Sequence, residues 1–210
     1  MSRENLILIG AGGHARACID VIEEAGDFRI AGLIGMPEEL GADHLGYRVI
    51  GTDESLRGLR SECPYALITI GQIETAQHRE RLYHQALELG FQLPAIIARD
   101  ARVSRWASVG DGTIVMHGVI INAGAVVGRN CIINSRALIE HDATVHDHCH
   151  VSTGAILNGG VQVGEGTFIG SGSTVKQGVR IGCRCLVGMG CSVRTDQPDD
   201  TRFTGAMSNG

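Results

Sequence analysis

An uninterrupted six-residue period in the second half of the chain most constrains its fold. Every sixth residue from Val103 to Val193 is a branched aliphatic one, through sixteen consecutive hexads. These positions are Val103, Val109, Val115, Ile121, Val127, Ile133, Ile139, Val145, Val151, Leu157, Val163, Ile169, Val175, Ile181, Val187 and Val193. So short a repeat can bury its apolar side only against its neighbours. We therefore predict a parallel β-helix with three hexads per coil, which gives about five coils and a length of roughly 25 Å at the usual strand spacing.

The composition fits this prediction and excludes several classes of protein. Aromatic residues make up 4% of the 210 residues, and thirty glycines suit narrow coils with tight corners. The net charge of −5 argues against a nucleic-acid binder, which needs basic surface to displace counterions. We find no apolar run that approaches the length of a membrane span. The seven cysteines, several of them at inward positions, indicate reduced packing residues in a cytoplasmic protein.

The first hundred residues follow a different pattern, in which short apolar strands alternate with helices. We predict strands over 5–10, 29–34 and 65–70, helices over 15–25 and 75–89, and a last strand over 94–98 that leads into the coils. This alternation indicates a small parallel α/β domain. We place it at residues 1–99 and the β-helix domain at 100–210, and we expect a loosely held tail after Pro198.

A glycine-rich turn lies between the first strand and the first helix. The spacing Gly10-x-Gly12-x-x-Ala15 formally matches the dinucleotide fingerprint, but the second strand ends in Gly35–Met36 without the carboxylate that the fingerprint needs. We therefore favour a nucleotide-linked ligand whose phosphates lie on the turn, with His14 facing them. The alternative is that the glycines only permit close packing of strand and helix.

Four histidines share one coil, and all fall outside the inward positions, so we expect them to face outward. They are His141, His146, His148 and His150. A zinc site is disfavoured because a flat outer face gives poor tetrahedral convergence. Solvated polar residues are the ordinary interpretation, which we adopt for His146 and His148. We interpret His141 as a general base, because Glu140 or Asp142 beside it could fix its tautomer and raise its basicity.

His141 and His150 are nine residues apart, which is half a coil. They should therefore belong to different faces of one prism and could meet only across neighbouring chains. This spacing favours a homotrimer with active sites between subunits.

The chain resembles the left-handed β-helix acyltransferases in its hexapeptide pattern. The turn Ile9–Ala15 and the segment Ile133–His141, which reads INSRALIEH, more narrowly resemble the bacterial sugar acetyltransferases. That group holds the N-acetyltransferases of UDP-linked 4-amino sugars and the sialic acid O-acetyltransferases. The resemblance implies a small Rossmann-like α/β domain before a left-handed β-helix. It also implies acetyl-CoA as co-substrate, a nucleotide-linked sugar as partner, no metal and a place in surface glycan biosynthesis.

The resemblance also assigns roles to individual residues. His141 matches the family's base, and His150 matches a histidine that contacts acetyl-CoA. Residues that match sugar-nucleotide contacts are Gly12, Gly13, His14 and Gly71. Residues that align with acetyl-CoA contacts, on one corner column of the coils, are Gly170, Ser171, Gly188 and Met189.

Two departures from the family bear on the ligands. Bacillosamine-type members carry acidic residues where this chain has Gly35–Met36, and the family's Gly-x-Pro-Ala ending is replaced by Phe203–Met207. The first departure leaves the identity of the sugar and nucleotide open. The second leaves open whether the C-terminal wall of the CoA cleft is the same as in the family.

The charge pattern suggests where CoA would bind. Residues 166–195 carry four basic side chains and no acidic one, which suits the CoA phosphates or, alternatively, a solvated charged edge. The four are Lys176, Arg180, Arg184 and Arg194.

Together these observations predict an acetyl-CoA-dependent N-acetyltransferase acting on a nucleotide-linked amino sugar. We find no Ser–His or Cys–His pair at convincing spacing, so direct transfer is expected. O-acetylation of a sialic acid-like sugar is the alternative. A non-catalytic β-helix scaffold is disfavoured by the intact Glu140–His141–Asp142 and by the added α/β domain.

Overall fold

A computed structural model describes residues 3–204 of the chain, which form an α/β unit followed by a prism of stacked coils. The elements of the α/β unit are β1 (Glu4–Ile9), α1 (Gly13–Ala25), β2 (Phe28–Ile34), β3 (Asp43–His44), β4 (Tyr47–Gly51), α2 (Leu56–Leu59), β5 (Tyr65–Ile68) and α3 (Gln77–Glu88). They form a five-stranded sheet in the order β3-β4-β2-β1-β5, parallel except for β3. The predicted small parallel sheet is confirmed.

Two details of this unit differ from the sequence prediction. The hairpin β3–β4 was not predicted, because its strands are short and only Val49 and Gly51 of β4 are buried. The helical spacing of Leu82, Ala86, Leu87 and Leu89 predicts that they share one face of α3, but Leu87 is 44% exposed. The buried face of α3 instead consists of Arg79, Leu82, Tyr83 and Ala86.

The second half is a parallel β-helix in which each coil contributes one two-residue strand to each of three sheets. The strands are β6 (Ile96–Ile97), β7 (Arg102–Val103), β8 (Ser108–Val109), β9 (Ile114–Val115), β10 (Ile120–Ile121), β11 (Val126–Val127), β12 (Ile132–Ile133), β13 (Leu138–Ile139), β14 (Thr144–Val145), β15 (His150–Val151), β16 (Ile156–Leu157), β17 (Gln162–Val163), β18 (Phe168–Ile169), β19 (Thr174–Val175), β20 (Arg180–Ile181), β21 (Leu186–Val187), β22 (Ser192–Val193) and β23 (Arg202–Phe203). Each strand from β6 to β19 pairs with the strand eighteen residues on, as three hexads per coil require, and β21 pairs with β23, sixteen residues on. The β-helix predicted from the hexads is confirmed.

The three sheets give the prism three faces. The six-stranded face has the order β22-β19-β16-β13-β10-β7, the five-stranded face β20-β17-β14-β11-β8, and the seven-stranded face β23-β21-β18-β15-β12-β9-β6. The aliphatic hexad positions from Val115 onward are buried in the interior, together with inward cysteines such as Cys131 and Cys149. Burial of these branched side chains is the main source of the prism's stability.

The α/β unit packs on the seven-stranded face. Strand β6 hydrogen-bonds to β9 and lies against α1, and Ile114, Met116 and Ile132 of that face share a core with α1 residues. Because β6 belongs to the coil sheet, the chain enters the β-helix at Ile96; the domain division near residue 99 stays a prediction.

The end of the described chain is held to the coils. Strand β23 pairs with β21, and Phe203 packs against the interior cluster. The prediction of a loosely held tail is therefore wrong for residues 199–204, because the backbone groups of β21 need a strand partner there. The rest of the predicted Phe203–Met207 ending lies outside the described residues.

Candidate active site

The glycines of the turn after β1 have different roles. Gly10 has φ +118°, and a Cβ there would lie 2.5 Å from Ile70 Cγ1, so glycine is required by backbone and packing. Within residues 3–204, no other group lies within 4 Å of a Cβ built at Gly12 or Gly13, and neither glycine has a positive φ. Close packing, here against Thr69 and Ile70 at the end of β5, therefore accounts for Gly10 alone. The other two leave open space at the start of α1, where backbone N–H groups can receive an anion.

A cavity of about 520 Å³ opens above this turn. Its lining includes Gly12, Gly35, Met36, Pro37, Glu39, Thr52, Asp53, Glu54, His78 and Arg81. Glu39 accepts a hydrogen bond from the Met36 backbone N–H at 2.8 Å. Its carboxylate also occupies the space beside Gly35. The end of β2 itself carries no carboxylate, as the sequence shows, but Glu39 folds back to the strand end from the next turn and places one there.

His14, Gly71 and His150 come together beside the glycine turn. Gly71 lies against the Cβ of His14, and His150 is near enough to contribute to the lowered pKa of His14. The His14 Nε2 is buried and has no hydrogen-bond partner among the described residues. Burial, with the nearby His150 and Arg79, lowers the pKa of His14 to about 4, so its ring is neutral at neutral pH. An unpartnered nitrogen here is suited to a ligand's polar group.

His150, on β15, points out of the coil but is only 7% exposed, because the α/β unit covers it. Its Nδ1–H donates to the Gln72 carbonyl at 2.7 Å, which leaves Nε2 as an acceptor near the Asn134 amide. Its ring packs edge-on against Phe168. Burial lowers the pKa of His150 to about 4. The ring is therefore held in one neutral tautomer.

The support of this histidine includes two residues that sequence reasoning missed. Arg79 of α3 is fully buried and donates to the Gln72 side chain at 2.8 Å and to Asn130. Gln72 in turn donates to the Gly166 carbonyl. Burial lowers the pKa of Arg79 to about 10, so it remains charged. The spacing of Arg79 with Leu82, Tyr83 and Ala86 is the signal that could have placed it on the core face of α3.

His148 and His146 differ in their surroundings. His148 is 5% exposed, since it lies against Tyr83 and His84 of α3 and its Nδ1 accepts from the Asn130 amide. Its interpretation as a solvated residue is wrong, because the α/β unit covers the corner on which it lies. His146 is exposed, as expected.

His141 forms an exposed pair with one of its two flanking carboxylates. Its Nδ1–H donates to Asp142 at 2.9 Å, and this hydrogen bond raises the pKa of His141 above its usual value. Glu140 instead accepts from the Asn122 amide at 2.9 Å and from the His141 backbone N–H. Asp142 is therefore the residue that orients the ring, and the Nε2 lone pair is left free to accept a proton.

His141 lies on the corner where the six-stranded face leads into the five-stranded face. That corner is opposite the seven-stranded face, which carries His150 and the α/β unit. Within one chain the structure thus brings together Gly12, Gly13, His14, Gly71 and His150, but not His141. The half-coil separation of the two histidines has the geometric result expected from the sequence.

The four candidate acetyl-CoA residues lie on the corner that follows the seven-stranded face. Gly170 stacks on Gly188 with a built Cβ 2.5 Å from its backbone, so Gly170 has no room for a side chain. Ser171 Oγ is 2.8 Å from Ser152 Oγ, and Met189 is 83% exposed. This corner borders the face that carries His150, which makes a continuous surface for one extended ligand.

The basic residues of the last coils do not form a free patch beside that corner. Arg184 is paired with Asp200 at 2.8 Å, and Asp196 accepts from the Arg180 backbone. Both arginines lie on or after the five-stranded face. The predicted phosphate site is therefore wrong for Arg184, because Asp200 folds back onto its guanidinium, and it stays a prediction for Lys176, Arg180 and Arg194.

Two family models match the chain. The PglD N-terminal domain matches residues 5–86, and the bacterial transferase hexapeptide repeat matches residues 142–177. No curated protein matches the sequence. Among the helices in residues 3–204, none has the length and apolar character to cross a membrane.

Solved structures resemble the chain over nearly its whole length. A histidine variant of perosamine N-acetyltransferase from Caulobacter crescentus, in complex with CoA and GDP-perosamine, is 34% identical with a TM-score of 0.89, over 95% of this chain and 92% of that one. The acetyltransferase domain of PglB from Neisseria gonorrhoeae, with acetyl coenzyme A, is 30% identical with a TM-score of 0.86, over 94% of each. WeeI from Acinetobacter baumannii, at 16% identity and TM-score 0.73, shares the fold.

The identity and coverage of these enzymes, the two family models and the coil architecture agree with one another. The chain belongs to the acetyl-CoA-dependent sugar acetyltransferases that join a small α/β domain to a left-handed β-helix.

Proposed function

We propose that this protein transfers the acetyl group of acetyl-CoA to the amino group of a nucleotide-linked amino sugar. The observation that carries the proposal is the His141–Asp142 pair, whose geometry leaves a basic Nε2 free on an exposed corner. The similar perosamine N-acetyltransferase was solved with CoA and GDP-perosamine, which supports the acceptor class. The similar PglB acetyltransferase domain was solved with acetyl coenzyme A, which supports the donor.

The proposed chemistry is direct transfer. The neutral amine attacks the thioester carbonyl, and Nε2 of His141 takes the amine proton as the C–N bond forms. The tetrahedral intermediate then expels CoA as the C–S bond breaks, and the proton returns to the thiolate. Asp142 keeps Nδ1 protonated throughout and stabilises the imidazolium that forms. Backbone N–H groups at coil corners are available to receive the oxyanion.

The acceptor is proposed to bind the α/β unit. The open space at Gly12 and Gly13 admits the diphosphate, and His14 Nε2 and Gly71 line the way towards His150. Arg81 supplies a positive group in the cavity and His78 a polar ring, while Glu39, Asp53 and Glu54 supply acceptors for sugar hydroxyls or a base. His150 and the Gly170–Met189 corner are proposed to hold acetyl-CoA.

A working site then needs two chains. Acceptor turn and His150 lie on one side of the prism and His141 on the opposite corner, so the base must come from a neighbouring copy. The six-stranded face beside that corner has an outward apolar column of Ile120, Leu138 and Ile156, which a second copy would cover. Around a threefold axis, each chain would supply His141 to one neighbour and receive it from the other. We therefore propose a homotrimer.

The nucleotide is the part of the proposal that an experiment must decide. UDP-linked 4-amino sugars are the expectation from the sequence, and a GDP-linked amino sugar is the second candidate because of the GDP-perosamine complexes. We would offer a panel of UDP-, GDP-, dTDP- and CMP-linked sugars with acetyl-CoA and record thiol release. Activity confined to CMP-linked or hydroxyl-only sugars would contradict N-acetylation and favour the O-acetyltransferase alternative.

Replacing the base tests the mechanism. His141→Ala should lower kcat by about 10²–10⁴-fold, which is the usual contribution of a general base. The ring is 60% exposed, so the fold and acetyl-CoA binding should be unchanged. His146→Ala, an exposed histidine of the same coil, is the matched control. Near-full turnover of His141→Ala would remove His141 from the mechanism.

A further inference from the structure

One hexad departs from a rule that the other fifteen follow. The second residue after each aliphatic position carries a side chain in fifteen hexads, among them Arg105, His117, Glu165 and Met189. The exception is Gly159, after Leu157. This corner position therefore accepts side chains of every size, and glycine is not what the coil demands there.

The backbone of Gly159 does not require glycine either. Its φ is outside the left-handed region, whereas the next residue, Gly160, has φ +67° and is one of the recurrent corner glycines. An alanine at 159 would thus adopt the observed backbone without strain. The reason for glycine must lie in what surrounds it.

The neighbour of Gly159 is the ring of His141. The two residues are eighteen apart, on successive coils of one corner, and Gly160 N–H donates to the His141 carbonyl at 2.9 Å. A Cβ built on Gly159 would lie 2.6 Å from both Cε1 and Nε2 of His141. These two atoms form the ring edge next to Nδ1, the nitrogen that Asp142 holds. The imidazole therefore lies over the bare α-carbon of Gly159.

From this we infer that Gly159 is a positioning residue: the missing side chain is the space that lets His141 lie with Nδ1 on Asp142 and Nε2 towards the substrate. The inference rests on the proposed role of His141 as the base. Asp142 holds the ring at Nδ1 by a hydrogen bond, and Gly159 lets the Cε1–Nε2 edge lie in contact with the coil. Any side chain at 159 would push the exposed ring away from Asp142 while leaving the prism intact.

The test is Gly159→Ala. We expect kcat to fall at least tenfold, with KM values for acetyl-CoA and acceptor within about twofold and the melting temperature unchanged, because an exposed ring moves more easily than the coil. The matched control is Gly58→Ala, the same change at a site where no other group lies within 4 Å of a built Cβ. Full activity of Gly159→Ala would overturn the inference.

A double-mutant cycle separates this role from any direct contact of Gly159 with a ligand. If Gly159 acts through His141, adding Gly159→Ala to His141→Ala should change the residual rate by less than twofold. An equal loss in both backgrounds would show that Gly159 acts without the histidine and would overturn the inference. Undiminished activity of His141→Ala alone would instead contradict the proposed base.

A spectroscopic measurement covers the case in which the residual rate is too small to compare. The Cε1–H resonance of His141, identified by its absence in His141→Ala, should titrate at lower pH in Gly159→Ala than in the parent, because the displaced ring loses its bond to Asp142. An unchanged shift and titration, together with reduced activity, would reject displacement of the ring as the cause.

Discussion

At the scale of single residues, the flanking carboxylates of His141 show how far the sequence reaches. Glu140 and Asp142 are equivalent neighbours in the sequence, and only the corner geometry separates them. Asp142 has φ +60°, a left-handed conformation that aspartate tolerates better than most residues and that turns its carboxylate onto the ring. Glu140 lies before the corner, and its carboxylate accepts a hydrogen bond from the Asn122 side-chain amide.

This difference predicts the pH dependence of the reaction. The base works unprotonated, so activity falls as pH drops through the pKa of His141, which Asp142 raises. Asp142→Asn should lower that pKa, and the acid limb of kcat/KM should move to lower pH while the plateau falls. Glu140→Gln, the matched control, should move the limb much less. The full pH profile of both variants measures this; an immobile limb in Asp142→Asn would assign the limb to another group.

The buried histidines His14 and His150 predict a loss of stability in acid. Each has a pKa of about 4 in the folded protein against about 6.5 when unfolded, so the unfolded state binds more protons between these values. Stability should therefore be complete above about pH 6.5 and decline as pH falls towards 4, by at most about 1.4 kcal/mol per pH unit for each histidine. Urea unfolding at pH 7.5 and 5 should show a smaller difference in His150→Gln than in the control His146→Gln.

At the scale of elements, periodicity predicted what repeats and missed what occurs once. The hexads fixed strand register through the coils because a buried side chain every six residues allows no other pairing. The hairpin β3–β4 and the fold-back of Glu39 depend on single turns, for which the sequence holds no periodic signal. His148 is covered by α3, and His150 by the loop that carries Gln72. Both are tertiary contacts, and no local sequence pattern distinguishes a covered outer face from an exposed one.

The buried hydrogen bonds of Arg79 join helix α3 to the coils, so we expect Arg79 to contribute to the free energy of unfolding. Its guanidinium donates to Gln72 Oε1 and to the Asn130 carbonyl in a buried setting, so truncation removes this donor from both oxygens. Arg79→Ala should lower the free energy of unfolding by about 3 kcal/mol, since an unsatisfied buried polar group costs about 1–3 kcal/mol. The exposed Arg57→Ala should cost little. Equal stabilities in chemical denaturation would show that the bridge adds nothing.

At the scale of the whole molecule, one chain presents the two halves of the proposed site on opposite sides. The α/β unit and His150 occupy the seven-stranded face, and the His141 corner points away from both. The half-coil spacing predicted this separation from the sequence. The face on which the α/β unit packs could not be predicted, because β6 joins the coils through only two residues, Ile96 and Ile97. The position of the α/β unit on that face determines which chain would supply the proposed base.

Mixing two inactive variants tests whether sites are shared between chains. His141→Ala subunits retain the acceptor turn and His150, and His150→Ala subunits retain the base. If each cleft takes His141 from one chain and His150 from its neighbour, refolding an equal mixture should place both intact histidines in about a quarter of the clefts and restore about a quarter of the parent activity. If both histidines serve a site within one chain, every cleft lacks one of them and the mixture stays as inactive as its components. Unmixed variants refolded in parallel are the control, and sedimentation that shows a monomer at assay concentration would contradict the shared site directly.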